Sequence, residues 1–116
     1  MASEDFTICH ADDVLVIQIE VNNLLGLTEV GRIGANLDEL VKGQPSKVAL
    51  DLANVRYAGS AALGMLLSLS KTLQQNGGRL ILCGTKQLDT LFKVSRTIAV
   101  FEIAPDADAA IQLLKK

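Results

Sequence analysis

The chain has 116 residues, of which 49% are apolar and 21% charged, and a formal net charge of −2; this is enough to bury a core without disulfides or metal, and it argues against a disordered or multi-domain chain, so one domain over 1–116 is expected. The Lys and Arg residues stand singly rather than in a stripe that could neutralise a row of phosphates, which argues against nucleic acid as a partner. The apolar runs stop well short of the ~20 residues of a membrane span, and the acidic start MASEDF is not a signal peptide, so the reading is a cytoplasmic protein with no membrane insertion.

In chain order, Phe6 to Cys9 and Val14 to Val21 are β-rich runs separated by Ala11-Asp12-Asp13, the spacing of a hairpin. Thr28 is placed to cap a helix whose apolar residues Val30, Ile33, Leu37, Leu40 and Val41 fall on one face; Gly31 and Gly34 weaken it, and Gly43-Gln44-Pro45 ends it. Val48 to Leu52 is a nearly continuous apolar run, as expected of a strand covered on both faces. After a turn of small residues, Ala62, Leu63, Leu66, Leu69, Ser70 and Leu73 trace a helical stripe closed by Gly77-Gly78.

Arg79 to Cys83 reads as the next strand and Gln87 to Ser95 as a short helix with Leu88, Leu91 and Phe92 inward. Val100 to Ile103 reads as the last strand, and Pro105-Asp106 opens a final helix. A hairpin followed by alternating strands and helices predicts an α/β domain with an open mixed β-sheet, parallel in its later part. Ser60 then falls near the carboxyl end of a strand, where such sheets usually meet ligands and partners.

Little in the sequence supports catalysis. Cys9 and Cys83 lie far apart with no CxxC pair and read as buried small hydrophobes; His10 is the only histidine, which leaves a zinc site without suitable ligands. The Asp12-Asp13 and Asp106/Asp108 pairs read as turn and cap residues. Neither a metal nor a cofactor is expected.

Ser60, in DLANVRYAGSAALGML, is the residue that invites a function. A hydrolase nucleophile elbow would need GxSxG, but Ala62 stands where the second glycine belongs. Gly59 to Gly64 has the spacing of a phosphate loop, but Met65 and Leu66 occupy the places of its Lys and Ser/Thr. Two compatible readings stay open: a helix N-cap, or a phosphate acceptor at the positive end of a helix.

At these residues the chain resembles a STAS domain of the anti-sigma factor antagonist family. Asp51-Leu52 matches the family's strand end and Gly59-Ser60-Ala61-Ala62-Leu63-Gly64 occupies its Asp-Ser-Ser-Gly-Leu-Gly signature. Gly77-Gly78-Arg79-Leu80, Leu91 to Ser95, Val100-Phe101 and Asp106 to Leu114 resemble the later elements, and Gly59, Ala61, Ala62 and Arg96 depart from the pattern. The resemblance implies a regulatory binding domain rather than an enzyme. It would dock a protein partner, an anti-sigma factor kinase, through Tyr57, Ala58, Gly59, Ser60, Ala61, Leu63 and Gly64, and phosphorylation of Ser60 would switch that binding off. The alternative is a constitutive module of a signalling complex or transporter, with Ser60 only a helix cap.

Overall fold

A computed structural model of the protein describes residues 5–43, 46–96 and 99–115. Strands β1 (Phe6–Ala11) and β2 (Val14–Ile19) form the expected hairpin, with six unbroken antiparallel pairs from Phe6↔Ile19 to Ala11↔Val14. The two-residue turn places Asp12 at φ 56°, a left-handed conformation that a short Asp side chain tolerates.

Three further strands extend the sheet in parallel: β4 (Lys47–Asp51) beside β2, β6 (Arg79–Cys83) beside β4, and β7 (Glu102–Ala104) beside β6, giving the order β1-β2-β4-β6-β7. Val48, Ala49 and Leu50 at the sheet centre are fully buried, which explains the apolar run there.

Helices cover both faces of the sheet. On one side, α1 (Leu27–Val41) and α2 (Ser60–Gln75) close the larger core, with Ile33, Leu37, Leu66, Leu69 and Leu73 packed over Ile17 and Leu50. Gly34 permits their close approach: a Cβ there would lie 3.0 Å from Met65 Cγ. On the other side α4 (Ala107–Lys115) sets Ala110 and Leu114 on Val14, Ala49 and Ile81. A 3-10 turn (Lys86–Leu88) leads into α3 (Asp89–Ser95), where Phe92 meets Phe101 edge-on at 5.8 Å.

Several expectations are corrected. Thr28 does not cap α1; the N-cap is Gly26, with no side-chain cap bond, and Leu27 is already helical. The last strand begins two residues later than expected, because Val100 stays exposed in a turn and pairing with β6 starts at Glu102. The first helix ends with Gly43 at φ 73°, whereas Gln44 and Pro45 lie outside the described residues. Cys83 is buried but Cys9 is exposed, since it sits on the outermost strand, beyond the reach of the helix on its face. Two short strands, β3 (Asn23–Leu24) and β5 (Tyr57–Ala58), pair in parallel as a separate small sheet that the sequence did not announce.

Candidate functional site

The chain leaves β4 through a tightly fastened loop. The Leu52 N–H donates to the Cys83 carbonyl at 2.9 Å, extending the sheet by one bond, and Asp51 Oδ1 accepts from the Ala53 N–H at 2.9 Å. Gln87 Nε2 donates to the carbonyls of Leu52 (2.7 Å) and Val55 (2.6 Å), tying the loop to the 3-10 turn, while the Leu52 and Val55 side chains are fully buried below.

The small sheet comes next. The N–H groups of Arg56 and Tyr57 both donate to the Asn22 carbonyl, at 2.8 and 3.1 Å, and Asn23 Oδ1 accepts from the Leu25 N–H at 2.8 Å. This sheet draws the approach to α1 and the approach to α2 together, so both helices begin at one edge of the domain.

Gly59, in extended backbone (φ −126°, ψ −166°), is the N-cap of α2, and its carbonyl receives the N–H groups of Ala62 and Leu63 at 3.1 and 3.2 Å. Ser60 is therefore the first helical residue, not the cap: no side chain caps the helix, and the Ser60 residue is exposed. The cap reading of Ser60 fails for this geometric reason. The first N–H groups of α2 lack a side-chain acceptor, so the helix end keeps its preference for an anion.

Around Ser60 the expected docking residues divide. Tyr57 is 62% exposed, Gly64 is exposed, and Ala58, Gly59 and Ala61 are half-buried. Leu63 is buried in the core and cannot form part of the surface; it points inward with Ala62 and Leu66 because the helical period places it on the sheet-facing side. Two residues missing from the sequence reading join the patch instead: Leu25, 52% exposed, and Leu27, 79% exposed. Their signal was the run Leu24-Leu25-Gly26-Leu27, which holds more leucines than one inward face can take.

Ala61 and Leu27 also line a shallow groove of about 490 Å³ between α1 and α2, floored by Gly31, Gly34 and Met65. His10 lies on β1, at the far edge of the main sheet, and the Cys83 thiol is pushed up to about 12 by burial, with smaller contributions from the Asp51 and Asp106 carboxylates. Among the described residues there is no group of three or more potential metal ligands, and no helix is long and apolar enough to cross a membrane.

A mixed sheet opened by a hairpin, with an exposed serine at the first turn of the helix after the central strand, defines an α/β domain of the STAS type. Residues 8–110 match the family model of the STAS domain, and the chain belongs to that family. It is similar to BtrV of Bordetella bronchiseptica, a protein described as an anti-sigma factor antagonist, with 32% identity over 85 residues, 72% of this chain and 73% of the relative. Its fold is that of an anti-sigma-factor antagonist (STAS) domain protein from Planctomyces limnophilus, at TM-score 0.83 and 24% identity, covering 97% of this chain and 99% of the other. The Bacillus cell fate determinant SpoIIAA, in its phosphorylated form, shares the fold at TM-score 0.65 and 18% identity, with coverage of 93% and 98%.

Proposed function

We propose that this chain is an anti-sigma factor antagonist that docks a protein partner, a kinase-type anti-sigma factor, on the surface around Ser60, and that phosphorylation of Ser60 by that partner ends the interaction. The observation that carries the reading is an exposed hydroxyl at an uncapped helix start, ringed by the exposed side chains of Leu25, Leu27 and Tyr57. Contiguous exposed apolar side chains suit a protein contact. Tyr57, Ala58, Gly59, Ala61 and Gly64 form the contact with them, and Leu63 supports it from beneath. The role is binding, not catalysis, and belongs in the cytoplasm where a sigma factor acts.

The switch follows from where a phosphate would sit. It adds roughly −1.5 to −2 charges at a helix N-terminus, where free N–H groups tolerate an anion, so the fold survives. A largely apolar partner surface closed over that charge would leave it desolvated, and a penalty of ~3 kcal/mol weakens binding about a hundredfold. The test is calorimetric titration of the cognate anti-sigma factor with unmodified protein, Ser60→Ala and stoichiometrically phosphorylated protein. Unmodified protein and Ser60→Ala should bind alike, with the phosphorylated form about a hundredfold weaker. Equal affinities for all three would overturn the switch and leave a constitutive docking module.

A further inference from the structure

We propose that the partner docked at Ser60 also lays a helix into the groove between α1 and α2, apolar on the entering side and with one Lys or Arg directed at Asp38; this rests on the Ser60 surface being where the anti-sigma factor docks. The groove is continuous with that surface. Leu27, the first residue of α1 and 79% exposed, and Ala61, next to Ser60, belong to both. From there the groove follows the two helices, which lie side by side, to Asp38 and Ser68. The stretch from Leu27 to Asp38 is about 16 Å of helix, roughly three turns.

The glycines of α1 separate space that the fold uses from space that it leaves open. Glycine in the middle of a helix costs stability relative to every residue but proline. At Gly34 the packing of the chain explains it, since a Cβ there would lie 3.0 Å from Met65 Cγ. Gly31 has no such reason: a Cβ there would meet nothing within 4 Å, yet the residue lines the groove one turn before Gly34. Gly64, exposed on α2 one turn after Ser60, is equally free of neighbours. The chain's own packing needs neither of these two glycines, and both give the backbone of another molecule room for close approach.

The chemistry of the occupant follows from the lining. Both walls are helices, whose backbone groups are used internally, so a segment in the groove must satisfy its own backbone; a helix does so and an extended strand does not. Val30, Ala35 and Met65 join Leu27 and Ala61 in giving the groove an apolar surface. Asp38 is the one charged residue of the lining. It is half-buried at the end away from Ser60, and among the described residues its carboxylate has no ion pair and no hydrogen bond. A basic side chain on the entering helix complements it there, and three turns of that helix then reach back to Leu27 beside Ser60.

Calorimetric titration with the cognate anti-sigma factor tests the groove, with urea unfolding of each variant beside it. Gly31→Leu fills the groove where the chain has room, so its unfolding midpoint should hold or rise while affinity falls by about tenfold or more. Asp38→Lys should lose about as much, and the loss should shrink as salt is added, because it replaces an attraction by a repulsion. If Gly31→Leu does not keep the fold, Asp38→Lys carries the test. Tyr57→Ala reports separately on the Ser60 surface. If Tyr57→Ala loses affinity while both groove variants bind like the unmodified chain, the groove is overturned and the Ser60 reading stands. If the unmodified chain does not bind at all, that reading falls and the groove falls with it. Loss with Gly31→Leu alone overturns the basic contact at Asp38. Self-association of the chain that Gly31→Leu removes, with partner affinity unchanged, would give the groove to a second copy and overturn the proposal.

Discussion

The two helices that start at the Ser60 surface and the helix on the opposite face of the sheet are finished differently. At α4, Asp106 Oδ1 accepts the Ala109 N–H at 2.8 Å and the Asp106 carbonyl accepts from Ala110 at 3.1 Å, so the helix satisfies its own first turn. At α1 and α2 the cap positions are Gly26 and Gly59, with no side-chain cap bond at either. A helix needs its cap for stability unless something else fixes its start. For α2 the substitute is the loop below it, clamped by Gln87 and the small β3–β5 sheet. Holding the helix from below leaves its N–H groups open above.

Removing the clamp should have the largest effect. Gln87→Ala deletes two short hydrogen bonds and leaves the Leu52 and Val55 carbonyls without that donor, an expected loss of about 1–3 kcal/mol in urea unfolding. A loss below about 0.5 kcal/mol would mean that β3–β5 pairing alone holds the turn. Next comes the cap at α4: Asp106→Ala should cost about 1 kcal/mol, whereas Ser60→Ala should stay within about 0.5 kcal/mol because no cap bond is lost. Equal losses for the two would erase the distinction between the helix starts.

Charge at the open end gives a smaller effect of opposite sign. Ser60→Asp places a carboxylate in the first turn of α2, where the helix dipole should stabilise it by about 0.3–1 kcal/mol at low ionic strength, with the gain fading as salt is added. Destabilisation at low salt would show that the turn does not accept an anion, and the switch would lose its physical basis.

How far the sequence disclosed these features depended on how many residues carried each signal. The hairpin, β4 and β6 were legible as apolar or β-rich runs of five or six residues, and the inward stripe of α2 because its buried residues recur at helical spacing. β3 and β5, two residues each, offer no period at all, yet they bring the starts of α1 and α2 together. Thr28 and Ser60 both have the chemistry of a cap, but each lies inside its helix, with the cap at Gly26 or Gly59; composition cannot resolve a boundary to one residue. Leu63 entered the expected surface by its place in the motif, and the helical period takes it out. The exposure of Leu27 followed only from the path that β3 imposes on the chain before α1.

The finest distinction is at Gly59, where the family's signature has an aspartate. The backbone there is extended, so any residue can adopt it, and an aspartate would be placed as the side-chain acceptor that α2 lacks. The obstacle is local: a Cβ on residue 59 would meet Leu25 Cδ2 at 3.3 Å, tighter than ordinary contact. Leu25 is half exposed, and the atom in the way is the end of its side chain, so a small rotation toward solvent relieves the contact. Replacing a glycine cap by aspartate is worth only a few tenths of a kcal/mol, and Gly59→Asp should therefore raise stability by about that amount, making the start of α2 resemble that of α4. Chemical denaturation of Gly59→Asp beside Gly59→Asp/Leu25→Ala decides between cap and contact. If the single variant is destabilised by more than about 0.5 kcal/mol and the double variant recovers the loss, Leu25 is fixed in place and Gly59 is required for its packing.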